Sequence, residues 1–149
     1  MLENVLYTAV ATSTGDGRNG HVVSADNQVD LDLAMPPEMG GSGQGANPEE
    51  LFAAGYAACF HSALRAVARR ADADVTNSTV TAYVGIGPAG DAFDLVVTLE
   101  SDLPNVAPEQ ARDLVDAAHQ VCPYSRATRG NISVELRLTG PAAAAAQPA

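Results

Sequence analysis

Two cysteines, Cys59 and Cys122, stand 63 positions apart in a chain of 149 residues. A thiol can act as a nucleophile, a metal ligand or half of a disulfide, and its reactive form is the thiolate. Cys59 lies in LFAAGYAACFHSAL, residues 51–64, whose first ten residues carry no charge. Apolar surroundings disfavour the thiolate and raise the pKa. A reactive Cys59 therefore needs a cation nearby. All eight basic residues are arginine. The lack of lysine removes Schiff-base chemistry and the P-loop lysine. Arg18, in GDGRNG, is the candidate, because the glycines around it leave room to project. An arginine near apolar groups needs an acid to hold it, and Glu49 or Glu50 could serve. The alternative is two buried, inert thiols and a solvated loop arginine. Residue types alone leave both open.

Other chemistries find less support. Cys59, His61, His119 and Cys122 are residue types that zinc accepts. Cys59 and His61 sit two apart on a predicted helix, so their side chains diverge and cannot grip one ion. There is no G-x-S-x-G for a hydrolase elbow. GGSGQG, residues 40–45, resembles a phosphate loop only loosely and lacks the following lysine.

Composition sets the frame. The chain is 46% hydrophobic and 17% charged, with a net charge of −10. It is globular rather than disordered, and its length suits one domain. The acidity argues against nucleic acid and anionic membranes as partners. No uncharged apolar run reaches membrane-spanning length, and MLENVLYTAV lacks the pattern of a signal peptide. A cytoplasmic location is the expectation, and there a structural disulfide is unusual.

The elements that would position these residues can be read in order. Asn4–Thr12, His21–Ala25 and Gln28–Ala34 read as strands. TGDGRNG, residues 14–20, is a turn, and Met35–Ala46 is a long loop. Asn47, Pro48 and Glu50 announce a helix from Pro48 to Arg70. Its first half is apolar on every side and should be buried. Ser78–Gly85 and Ala92–Ser101 read as strands joined by the turn GIGPAGDA. A second helix should run from Pro108 to Gln120, with Leu114, Val115, Ala118 and Val121 facing inward and Pro123 ending it. Asn131–Leu138 alternates as a last strand, and residues 140–149 form a low-complexity, frayed tail after a domain spanning 1–139. The order β-β-β-α-β-β-α-β, with strands in antiparallel-looking runs, makes this α+β. One small sheet covers one side of the apolar helix, so a second protomer should cover the rest.

ANPEELFAAGYAACF (46–60) and HQVCPYSRATRGNI (119–132) resemble the two signature blocks of the organic hydroperoxide resistance proteins, a branch of the OsmC-like family. LYTAVATSTGDGRNG (6–20) and GGSGQGANP (40–48) fit the same branch. The resemblance runs from Leu6 to Leu138. It implies an OsmC-like fold, with antiparallel sheets around two central helices in an intertwined homodimer. It also implies a cysteine-based, cofactor-free peroxidase that reduces organic hydroperoxides. Cys59 matches the peroxidatic cysteine, Cys122 the resolving one, Arg18 the activating arginine and Glu49 the acid that holds it. The resemblance further implies a dihydrolipoyl group on a protein as the external dithiol reductant. Two departures are His61, where the family favours small or aliphatic residues, and a slightly shortened loop before Asn47. Phe52, Tyr56, Phe60 and Phe93 are expected to line an apolar substrate pocket. An OsmC-like ligand binder or a redox sensor would share the fold without turnover.

Glu49 and Cys59 are ten positions apart, about 15 Å of rise on a straight helix. Either the helix breaks near Gly55, or the Glu49 serving each thiol belongs to the other protomer.

Overall fold

The apolar run that carries Cys59 does become one long helix. In the computed structural model, which describes residues 1–146, α1 spans Pro48–Arg70 without interruption at Gly55. Its start follows from the sequence. The Glu50 backbone N–H donates to Asn47 Oδ1 at 2.8 Å, and Asn47 Nδ2 donates to Glu50 Oε1 at 3.0 Å. Pro48 takes the first turn, where its missing N–H costs nothing. Glu49 and Glu50 favour the positive end of the helix dipole, and Arg69 and Arg70 the negative end.

The chain divides into two units, Met1–Leu51 and Phe52–Ala149. The first holds a three-stranded antiparallel sheet in the order β1 (Ala11–Thr14), β2 (His21–Ser24), β3 (Asp30–Asp32). The strand expected over Asn4–Thr12 starts later. Residues 1–10 are exposed, and ladder pairing begins only at Ala11, opposite Ser24. β3 is likewise shorter than Gln28–Ala34. The His21 ring lies between Asp32, at 2.7 Å, and Asp30, at 2.6 Å, which raises its pKa.

The second unit builds its core on another three-stranded sheet. β4 (Thr79–Ala89) and β5 (Ala92–Asp102) form a long antiparallel hairpin. Most of the stretch read as a turn is therefore strand, and the reversal narrows to Gly90 and Asp91. β6 (Val134–Thr139) pairs with β5 in parallel, from Val97↔Val134 to Asp102↔Thr139. This corrects the expectation of purely antiparallel sheets. The helical crossover between β5 and β6 returns the chain in the same direction, as parallel pairing requires.

Two helices make that crossover, where the sequence suggested one. α2 spans Pro108–Val121 and α3 spans Pro123–Thr128. Pro123 ends α2, as expected, and also opens α3, because proline suits a first helical turn. Cys122 is the extended residue between them, with φ −63° and ψ 124°. Ala111, Leu114, Val115 and Ala118 bury the inner face of α2, whereas Val121 is 45% exposed.

Tyr56, Phe60, Ala63, Leu64, Val67 and Ala68 of α1 join Val97, Leu99, Leu103 and the α2 face in one core. By length and composition alone α1 could cross a membrane, contrary to the sequence expectation; its Tyr56–Ala68 face is packed into this core. Its apolar first half is not covered all round within one chain, since Ala54 and Ala58 are exposed. Pro141–Ala146 form a short helix, α4, with Ala142 buried, instead of fraying. The remaining tail residues, 147–149, lie outside the described residues.

The capping box yields a test. Asn47→Ala removes both of its bonds at a buried helix start and should destabilise the protein by ~1 kcal/mol, measured by urea denaturation.

Candidate active site

Arg18 is built by its turn. It sits in a 3-10 turn, Gly17–Asn19, between β1 and β2. A Cβ at Gly20 would run into the Thr14 carbonyl oxygen, so only glycine closes the turn. The Gly20 N–H donates to Gly17 O at 3.0 Å, and Asn19 Oδ1 accepts from the Met35 N–H at 3.1 Å. Arg18 Nη1 and Nη2 then donate to Glu49 Oε2 and Oε1 at 2.9 and 2.8 Å. This bidentate fork fixes the plane of the guanidinium as well as its position. Glu49 raises the Arg18 pKa, and Arg18 lowers that of Glu49. The pair is thus ionised at neutral pH, and its contribution fades only as acid protonates Glu49 below the usual carboxylate range. Glu50, the other acid considered, is committed to the helix cap.

In the second unit Cys59 and Cys122 come together. Their Sγ atoms are 3.5 Å apart, and both are free thiols. Cys122 is fully buried, and Cys59 is half-buried. A disulfide needs the sulfurs about 1.5 Å closer, which side-chain rotation and a small shift can supply. Burial pushes the Cys59 thiol above its ordinary value, and Cys122 adds to the rise. The Tyr124 backbone pulls the other way, its N–H favouring the thiolate. None of these influences is a cation.

The four aromatic candidates separate. Phe52, Tyr56 and Tyr124 form an aromatic cluster, with ring-centroid distances of 5.8 Å for Phe52–Tyr56, 5.9 Å for Phe52–Tyr124 and 5.6 Å for Tyr56–Tyr124. Tyr56 and Phe60 are fully enclosed, which corrects their expected place on a pocket wall. Phe93 stands near the hairpin end, opposite Pro88 and 64% exposed. Gly55 lets the Tyr124 ring approach α1; a Cβ there would lie 2.9 Å from its hydroxyl oxygen.

The histidines are engaged elsewhere. His61 Nε2 is 3.0 Å from Ser78 Oγ, and His119 Nδ1 is 2.8 Å from Ser125 Oγ. Burial lowers the pKa of both. Sequence reasoning missed Tyr124, Ser125 and Thr128. The signal was Pro123, read as a stop and not as the start of the short helix that carries them.

Burial orders the thiols. An alkylating reagent should label Cys59 before Cys122, and peptide mapping after brief iodoacetamide treatment of the reduced protein checks this.

Comparison with known proteins places this arrangement. Residues 41–137 match the family model described as OsmC-like protein. The organic hydroperoxide resistance protein of Xanthomonas axonopodis pv. citri is 51% identical over 138 residues, covering 91% of this chain and 96% of that relative. The crystal structure of an organic hydroperoxide resistance protein from Legionella pneumophila superposes with a TM-score of 0.87 at 45% identity, covering 92% of this chain and 100% of that one. OhrB of Bacillus subtilis superposes with a TM-score of 0.82 at 42% identity, covering 91% and 100%. An α+β chain with these two constellations, matched along nearly its whole length, belongs to the organic hydroperoxide resistance branch of the OsmC-like family.

Proposed function

We propose that this protein is a cysteine-based peroxidase that reduces organic hydroperoxides to alcohols. The observation that carries the reading is the 3.5 Å approach of Cys59 to Cys122. Two inert core thiols have no need to meet, whereas a peroxidatic and a resolving thiol must.

The reaction divides into three steps. The Cys59 thiolate attacks the terminal oxygen of R–O–OH. The O–O bond breaks, RO⁻ leaves and takes up a proton, and Cys59 becomes a sulfenic acid. The Cys122 sulfur then attacks the Cys59 sulfur, and the hydroxyl departs as water with the Cys122 proton. The resulting disulfide is reduced by an external dithiol, for which a dihydrolipoyl group on a protein is the proposed source. No bound cofactor takes part.

Arg18, held by Glu49, supplies the cation that the surroundings of Cys59 lack. Because α1 is unbroken at Gly55, we assign the arginine–acid pair serving each thiol to the partner chain of a homodimer. Exposed Ala54 and Ala58 on α1, Leu6 and Tyr7 near the N-terminus, and Tyr83 and Val96 on the hairpin support such a partner. Residues 1–139 would then act as one functional domain, and the cytoplasm, where dithiols persist, is the proposed location. Phe52 and Phe93 remain candidates for an apolar wall that would favour alkyl or lipid hydroperoxides over hydrogen peroxide.

The test is consumption of cumene hydroperoxide with dihydrolipoamide as reductant. Turnover should disappear in Cys59→Ser. In Arg18→Ala the rate at pH 7 should fall by roughly 10- to 1000-fold, the effect of losing one adjacent cation on an ionising group. The pH midpoint for Cys59 alkylation should rise in Arg18→Ala, because losing a neighbouring cation disfavours the thiolate. No turnover by the wild type would overturn the reading.

A further inference from the structure

Behind the two thiols lies a buried chain of hydrogen bonds that the peroxidase chemistry does not use. Tyr56 Oη is 2.9 Å from Ser125 Oγ and 3.2 Å from Thr128 Oγ1. Thr128 Oγ1 donates to the Ser125 carbonyl oxygen at 3.1 Å, and His119 Nδ1 is 2.8 Å from Ser125 Oγ. Tyr56 and Ser125 are fully buried, and Thr128 is 7% exposed.

Counting protons fixes the direction of every bond. The Thr128 hydroxyl spends its proton on the Ser125 carbonyl, so its oxygen accepts from Tyr56. Tyr56 has one proton, so its oxygen accepts from Ser125. The Ser125 proton is then spent, and His119 must donate from Nδ1. The chain runs from His119 to Ser125 to Tyr56 to Thr128. In the neutral ring, which burial favours, this count puts the proton on Nδ1.

The chain links three helices at one place. Tyr56 belongs to α1, His119 to α2, and Ser125 and Thr128 to α3. Phe52, Tyr56 and Cys59 lie four and three residues apart, on one face of α1. That face packs on the segment Cys122–Thr128: Phe52 against Tyr124, Tyr56 against Tyr124, Ser125 and Thr128, and Cys59 against Cys122. Cys122 sits at the start of this segment, in the extended residue between two helices. A helix of six residues is too short to hold itself in place. Its side-chain hydroxyls meet α1 at the Tyr56 hydroxyl, one helical turn from where the Tyr124 N–H faces Cys59.

We infer that Tyr56 is a positioning residue for the second step of the proposed reaction. Its hydroxyl bolts the Cys122 segment to α1 and keeps the resolving sulfur within reach of the Cys59 sulfenic acid. The step it governs is S–S bond formation, with loss of water from Cys59–SOH and Cys122–SH. The competing fate is a second oxidation of Cys59 by hydroperoxide to sulfinic acid. The partition between disulfide and sulfinic acid reports how well Cys122 is placed. This inference rests on the peroxidase reading.

The test compares wild type with Tyr56→Phe, which removes one oxygen and keeps the ring. Each is mixed with a series of cumene hydroperoxide concentrations. Rapid acid quench and peptide mass spectrometry follow Cys59–SOH, the Cys59–Cys122 disulfide and Cys59–SO₂H. Tyr56→Phe should slow disulfide formation about tenfold more than it slows the first oxidation, since small misplacements carry large rate effects. Sulfinic acid should then accumulate at about tenfold lower hydroperoxide. Thr128→Val should act in the same direction, and Thr128→Ser, which keeps the hydroxyl, should restore the wild-type partition. If Tyr56→Phe folds poorly, the Thr128 pair carries the comparison. An unchanged partition in Tyr56→Phe and Thr128→Val, with wild type forming the disulfide, overturns this inference alone. Failure of wild type to oxidise at Cys59 removes the peroxidase reading instead. A ring proton on Nε2 of neutral His119, seen by ¹⁵N NMR, would contradict the bond directions.

Discussion

The arrangement depends on one close approach: two sulfurs from distant parts of the chain held 3.5 Å apart without a bond between them. Most of the second unit can be understood as the means to that end. α1 must be long and rigid enough to fix Cys59, so it starts with a capping box and is sealed by core residues through its second half. α2 must stop where Cys122 can turn toward α1, and Pro123 enforces the stop. The same proline restarts the chain as α3, so Cys122 is caught between two helices and not left on a mobile loop.

Burial and charge make opposing demands on Cys59. A dry, apolar helix would suit the proposed organic substrate and shelter the proposed sulfenic acid from side reactions. It also raises the thiol pKa. None of the groups that shift its pKa is a cation. The first unit carries a fixed one, Arg18, locked by two hydrogen bonds to Glu49 on a turn that only glycine can close. An arginine fixed in this way is useful only if it is presented to an anion. In the proposed homodimer that anion is the partner's Cys59 thiolate, and the exposed Ala54 and Ala58 of α1 are where the partner would sit.

Much of this was legible in the sequence. The α1 boundaries followed from Asn47, Pro48 and Glu50 at one end and the arginines at the other. The pairing of Arg18 with Glu49 followed from the need to neutralise an arginine and from the family blocks. What escaped was set by tertiary context. Asn4–Val10 has the pattern of a strand, yet periodicity cannot say whether a partner strand is available. The direction of β6 depended on a crossover whose second helix was hidden by reading Pro123 only as a breaker. Being aromatic and near Cys59 in the sequence suggests a pocket for Tyr56 and Phe60. Side-chain direction on α1 instead turns them into the core. The buried serine and threonine network had no sequence signature, because hydroxyl groups gain meaning only once their partners are packed.

The central claim is that Cys59 and Cys122 form one redox unit. The most direct measurement is the intact mass and thiol content of the reduced protein after one equivalent of cumene hydroperoxide. The account predicts loss of two hydrogen atoms, disappearance of both thiols and a single peptide pair linking Cys59 to Cys122. Persistence of both thiols, or a stable oxygen adduct on Cys59 with Cys122 still free, would contradict it.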